Sequence, residues 1–174
     1  MTRVLVLGGA RSGKSAFAEG LLADEPEVEY VATAPAMPDD LEWVQRIAAH
    51  RSRRAAGWRT VETGDVAGVL ATPGPPVLVD SITAWLARTM DDCDCWGATD
   101  LPPAYTERAE QLCSLWASTP RRIVAVSDET GLGVVPETAA GRRFRDELGM
   151  LNQSLAATAD EVQLVVAGLA VRLR

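Results

Sequence analysis

Arg3-Val-Leu-Val-Leu-Gly-Gly-Ala-Arg-Ser-Gly-Lys-Ser15 sets a short aliphatic run against a glycine turn, and an Ala/Leu/Glu-rich segment follows it to Ala23. The run has the composition of a buried strand and the segment after it that of a helix. Gly8 to Ser15 fits G-x-x-x-x-G-K-S at every fixed position, and a glycine loop between strand and helix is the context that pattern requires. Gly8, Gly9 and Gly13, with Ala10, Arg11 and Ser12 between them, let backbone N–H groups turn inward around phosphates, and the helix N-terminus adds a positive end. Lys14 then reaches β/γ-phosphate oxygens, and the Ser15 hydroxyl is placed to ligate Mg²⁺. The bland reading is a chance turn. Composition speaks against it, because the chain uses arginine throughout and its single lysine is Lys14. A compact ammonium fits where a planar guanidinium does not.

Outward from this loop, strands alternate with helices. Val28 to Thr33 reads as a second strand, and a helix capped by Asp39-Asp40 is expected to run to about His50. Trp58 to Glu62 reads as a strand, Pro73 to Pro76 as a turn, and Val77 to Asp80 as an apolar strand ending in a carboxylate before an amphipathic segment from Ile82 to Met90. Asp91 to Pro103 lacks periodicity and is read as an excursion before a helix from Tyr105 to Ser118. Ile123 to Val126 is the next strand. A long helix carries Phe144, Leu148, Leu151 and Leu155 on one face, and Glu161 to Ala167 with Val171 to Leu173 close the chain as strands joined at Gly168. The expected fold is α/β: a three-layer sandwich of P-loop type, with a mainly parallel sheet and a C-terminal pair suited to an antiparallel hairpin. In such a sheet ligands bind at the carboxyl ends of the strands, the edge shared by Gly8, Asp80 and Asp128.

The bulk numbers bound the function. At 174 residues, 47% hydrophobic and 24% charged, one substantial core and one domain, residues 1–174, are expected. No apolar stretch reaches membrane-spanning length, and the N-terminal run is too short for a leader, so a cytoplasmic protein is expected. The formal net charge of −7 argues against a general nucleic-acid binder. Cys93, Cys95 and Cys113 are odd in number and lack zinc-like spacing, which favours free thiols.

Two further residues have chemistry that the phosphate loop makes relevant. Asp80 alone would read as a helix cap, but beside a phosphate loop it is the natural Mg²⁺ carboxylate. His50 is the only histidine, and an isolated histidine is usually a surface residue. Here Arg51, Arg53 and Arg54 follow it, favouring a neutral imidazole that can attack phosphorus. Asp128-Glu-Thr-Gly131 matches the D-x-x-G of switch GTPases, but no N-K-x-D element follows to read guanine.

Taken in order, G-G-A-R-S-G-K-S at 8–15, Y-V-A-T-A at 30–34, R-I-x-x-H at 46–50, Arg54, W-R-T-x-E at 58–62, L-V-D at 78–80, S-D-E-T-G-L-G-V-V-P at 127–136 and F-R-D-E-L-G-x-x-N-Q at 144–153 resemble one family. It is the bifunctional adenosylcobinamide kinase/adenosylcobinamide-phosphate guanylyltransferase family of cobalamin biosynthesis. The resemblance implies phosphorylation of the corrinoid's aminopropanol hydroxyl, then transfer of GMP from GTP onto that phosphate through a guanylylated histidine, here His50. It implies nucleotide contacts at Gly8 to Ser15, Ala32, Thr33, Ala34, Arg51, Ser52, Arg53, Arg54, Glu62 and Asp80. It also implies Glu129 as a supporting carboxylate, ATP and GTP as substrates with Mg²⁺, and a homotrimer. Three positions depart from the usual pattern: Ala55 replaces a proline, Asp128 an asparagine and Met150 an arginine. The latter two bear on nucleotide affinity and on the balance of the two activities. Two other readings stay open on the residues: a P-loop kinase for another small alcohol, with His50 a bystander, and a noncatalytic nucleotide-binding switch module.

Overall fold

Along the first strand Val4 and Val6 pack on one side of a sheet and Leu5 and Leu7 on the other, the two-residue period of a strand covered on both faces. The computed structural model describes residues 2–35 and 57–174, and the expected helix from Asp39 to His50 lies outside them. The strands are β1 (Arg3–Gly8), β2 (Val28–Ala32), β3 (Trp58–Glu62), β4 (Val77–Asp80), β5 (Ile123–Asp128), β6 (Glu161–Val166) and β7 (Leu169–Arg172). The helices are α1 (Lys14–Gly20), α2 (Val66–Ala71), α3 (Ile82–Asp92), α4 (Pro103–Ser118) and α5 (Ala139–Thr158). The strands form one sheet in the order β3-β2-β4-β5-β1-β6-β7. Every neighbouring pair is parallel except β6 and β7.

Two cores result. Ala18 and Leu22 lie with Val4, Val6, Leu78, Val124 and Val126 on the α1 face. On the opposite face Leu70, Trp85, Leu86, Leu112, Trp116, Leu148 and Leu155, from α2 to α5, cover Leu5, Val79 and Ala125. Each such fully buried aliphatic side chain contributes about 1.5–3 kcal/mol relative to exposure. The two tryptophans meet their polar requirement inside: Trp116 donates its indole N–H to Leu155 O at 3.0 Å and Trp85 to Gly64 O at 3.0 Å.

The expected elements among the described residues are present, with informative differences. α2 went unread because its six residues, Val-Ala-Gly-Val-Leu-Ala, are too few to show a helical period; its start is fixed by Asp65, whose side chain accepts from Gly68 N. The helix after Asp80 continues to Asp92, two residues into the supposed excursion. Cys95 beyond it is fully buried, and burial raises its thiol pKa. The closing hairpin turns through Ala167 and Gly168, both at positive φ (51° and 81°), the two-residue geometry that matches strand twist. Its second strand therefore begins at Leu169, earlier than the hydrophobic pattern alone places it.

At the amino edge of the sheet a buried arginine ties four segments together. Arg121 donates to Pro75 O from Nε at 2.7 Å, to Val69 O at 3.1 Å and Thr72 O at 3.4 Å, and pairs with Glu29 Oε2 at 2.7 Å. Gly74 lies against the guanidinium, where an added Cβ would sit 3.0 Å from Cζ. Glu29 also pairs with Arg59. Burial would raise the Glu29 pKa, but the two guanidiniums prevail and hold it below the usual carboxylate value.

Candidate active site

The phosphate loop springs from the carboxyl end of β1 and hands over to α1. Gly13 caps that helix at φ 94°, ψ 2° without a side-chain cap, a conformation that costs an L-residue because its Cβ would crowd the following carbonyl. Gly8 is needed for space: a Cβ there would lie 2.7 Å from Val165 O and 2.5 Å from Ser12 Oγ. The loop is closed by Ser12 N donating to Gly9 O at 3.2 Å, and the hairpin tip braces it, with Gly168 N donating to Ser12 O at 2.8 Å. Arg11 adopts a positive φ of 56° within it, which the glycine pattern did not foretell.

Lys14 folds back over the loop. Its ammonium donates to Gly9 O at 3.2 Å and pairs with Asp128 Oδ1 at 2.6 Å, its side chain only 13% exposed. Asp128 ends β5, opposite Gly8 in the β1–β5 register. Its N–H donates to Thr83 Oγ1 at 2.8 Å, and its carbonyl accepts from Asn152 Nδ2 at 3.1 Å.

The other expected residues gather on the same edge. In the β3-β2-β4 register Ala32 stands between Glu62 and Asp80, so three of the positions expected to contact nucleotide share one level at the strand ends. Ala34 follows them. Thr33 is fully buried, and its hydroxyl donates to Ser81 O at 2.6 Å and accepts from Ser81 N at 3.0 Å. Asp80 is not a helix cap: Ser81 caps α3, accepting from Ala84 N at 3.2 Å, while the Asp80 carboxylate accepts from the Tyr30 hydroxyl. Glu129 donates its N–H to Gly8 O at 3.2 Å and its carboxylate accepts from Gly131 N at 2.6 Å. Glu129 thus shapes the turn beside the phosphate loop. His50, Arg51, Ser52, Arg53 and Arg54 lie outside the described residues.

Three contributors were not singled out from the sequence, Tyr30, Thr83 and Asn152, and Gly168 was read only as the joint of the closing strands. Tyr30 and Asn152 fall inside quoted motifs, so a marker existed for them. Nothing local marks Thr83 or the contact of Gly168 with the loop, whose partners are 45 and 156 positions away.

The donor set suits Mg²⁺. Among the described residues no three His, Cys, Asp or Glu side chains cluster as a metal cage, and Mg²⁺ uses one or two protein oxygens, with water and substrate phosphates completing its shell. Ser15 and Asp80 offer hard oxygen ligands of that kind.

Comparison with solved structures gives the fold. A prototypical ATPase of the type III secretion system of pathogenic bacteria superposes with TM-score 0.54 at 13% identity, over 98% of this chain and 56% of that one. The assembled ATPase EscN of enteropathogenic E. coli superposes with TM-score 0.57 at 11% identity, over 95% and 43%. The chain thus spans about half the length of those structures. Sequence relatives match over nearly their whole length. The bifunctional adenosylcobalamin biosynthesis protein CobP of Pseudomonas aeruginosa is 43% identical over 177 residues, covering 99% of this chain and 97% of that protein. The corresponding protein CobU of Salmonella typhimurium is 37% identical over 181 residues, covering 98% and 99%. The profile of the cobinamide kinase / cobinamide phosphate guanyltransferase family matches residues 4–173. A correspondence that runs from the buried start of β1 past the end of β7 exceeds what a shared phosphate loop would produce, and the chain belongs to the cobinamide kinase / cobinamide phosphate guanyltransferase family.

Proposed function

We propose that this chain phosphorylates adenosylcobinamide and then converts the phosphate to adenosylcobinamide-GDP, using the carboxyl edge of the sheet for both reactions. The observation that carries the reading is the preformed phosphate loop with Lys14 folded over it, in a chain whose family match spans the entire sheet. In the first reaction the aminopropanol oxygen bonds to the γ-phosphorus of a nucleoside triphosphate, the bond to the β-bridging oxygen breaks, and the hydroxyl proton passes to solvent. Lys14 and the loop N–H groups hold the phosphate oxygens in line, which is most of what phosphoryl transfer asks of a protein. Mg²⁺, held by Ser15 and Asp80, would neutralise charge on the phosphates when bound. Tyr30 keeps the Asp80 carboxylate in a fixed orientation.

In the second reaction a neutral nitrogen of His50 attacks the α-phosphorus of GTP and pyrophosphate leaves. The corrinoid phosphate oxygen then displaces the imidazole, breaking the P–N bond and leaving the product with two phosphates. Arg51, Arg53 and Arg54 would hold phosphate oxygens during both steps, with Ser52, Ala32, Thr33, Ala34 and Glu62 along the nucleotide. Glu129 supports the loop. The same reading makes the protein a cytoplasmic homotrimer. Support for subunit contacts comes from β7, an outer strand with Leu169 and Val171 exposed, and from the exposed Leu132, Val134 and Val135. The open edge of β7 favours pairing with another chain, and the apolar side chains exposed on the loop after β5 add surface suited to burial.

The test is intact-protein mass after incubation with GTP and Mg²⁺. Wild type gains one GMP, lost in acid and stable near neutrality, and His50→Ala gains none. No adduct on a wild type that binds GTP rules out the covalent histidine and leaves a P-loop kinase, whereas an adduct on His50→Ala assigns the nucleophile to a residue other than His50.

A further inference from the structure

The Lys14–Asp128 pair puts a carboxylate where the loop is built to receive a phosphate. We propose that Asp128 is an internal competitor for the triphosphate: it holds Lys14 in the nucleotide-free protein and is exchanged for a β/γ-phosphate oxygen when nucleotide binds. The inference rests on the nucleotide reading of this site.

Three observations carry it. First, the pair is short and sheltered, with Nζ to Oδ1 at 2.6 Å and side-chain exposures of 13% and 27%, so water screens it less than a surface pair. Second, the ammonium also donates to Gly9 O, at 3.2 Å, a contact that already aims Lys14 across the loop. Third, the Asp128 backbone is clamped on both sides, by Thr83 at its N–H and Asn152 at its carbonyl. Opposite Gly8 in the register, it cannot retreat with its strand. Side-chain rotation is its only exit, and the carboxylate stays close to the incoming phosphates.

Asp128 therefore acts twice against binding. In the free state it occupies Lys14, and in the bound state it adds a like charge beside the triphosphate. In return it keeps the ammonium pointed into the loop, so little ordering remains for the nucleotide to bring about. A cation on the phosphates offsets the repulsion, so the penalty should be greatest without Mg²⁺. A ligand lacking β- and γ-phosphates has nothing to exchange for the carboxylate and should not feel it.

The experiment titrates full-length wild type, Asp128→Asn and Asp128→Ala with the α,β-methylene analogue of GTP, which the proposed histidine chemistry cannot cleave, and with GMP, each with Mg²⁺ and with EDTA. The expected result is about tenfold tighter binding of the analogue to both variants in EDTA, equivalent to about 1.4 kcal/mol, a smaller gain with Mg²⁺, and unchanged GMP affinity. In a Lys14→Ala background the Asp128→Asn gain should shrink to the part owed to repulsion alone. Unchanged or weaker analogue binding in EDTA overturns the proposal. Loss confined to the Mg²⁺ titration also overturns it, because Asp128 would then be holding the metal. An equal gain for GMP reduces it to a general charge effect and overturns it too. If no protein binds the analogue, the nucleotide reading fails, and the proposal with it.

Discussion

Replacing Arg121 by methionine keeps most of the side chain's apolar stem and removes every donor. It leaves the Val69, Thr72 and Pro75 carbonyls and one Glu29 oxygen without the partner they now share. Arg121 is 4% exposed, so water cannot substitute, and breaking a buried hydrogen-bonded pair costs about 3–5 kcal/mol. Glu29 retains Arg59, whose side chain is 72% exposed, and that residual partner argues for the lower end, about 3 kcal/mol. For a chain of this length each kcal/mol moves the melting temperature by about 2–4 °C, so a fall of about 6–12 °C is expected. Arg121→Lys, a point charge unable to serve all these acceptors at once, should lose roughly half as much. Thermal unfolding by circular dichroism reads the shift, and a denaturant midpoint that moves with unchanged slope confirms that stability alone has changed. Arg121 precedes β5 at the edge away from the phosphate loop, so triphosphate affinity well below the transition should not change. A fall under about 2 °C would refute the view that this node clamps the amino edge. Lost affinity in a fully folded variant would refute the separation of clamp from site.

Two other outcomes follow from the same geometry. The Glu29 carboxyl titrates below its ordinary 4.5 in the folded chain, burial raising it but Arg121 and Arg59 prevailing. The stability it adds is therefore complete above that ordinary value and lost as pH falls through the folded one. Wild type should exceed Glu29→Gln in stability at neutral pH and converge on it in acid; a gap that persists in acid would contradict the assignment. Gly13→Ala places a Cβ at φ 94° and 3.2 Å from Gly168 Cα, costing about 1–2 kcal/mol. It should weaken triphosphate binding with a modest fall in melting temperature, while Gly9→Ala, whose Cβ meets nothing within 4 Å, leaves stability unchanged. Equal titrations for Gly13→Ala and wild type would show that the loop does not need this conformation.

By itself the sequence determined the chemistry of the loop and the succession of strands and helices. Gly8 to Ser15 carries its own turn geometry, and alternation such as Val4-Leu5-Val6-Leu7 encodes burial on both faces, because both depend on residues adjacent in the chain. The ordered motifs from Gly8 to Gln153 carried the family as well. Only the tertiary structure decided what depends on distant partners. Ser81 takes the cap and leaves Asp80 to Tyr30, a choice invisible while both stand before Ile82. The six residues of α2 become a helix through the burial of Val66, Ala67 and Leu70, since so short a segment cannot sustain itself by propensity. Asp128 could be read as one more carboxylate at a strand end. That it holds the chain's single lysine is set by the β1–β5 register, which brings residues 14 and 128 together across a sheet that local sequence cannot see.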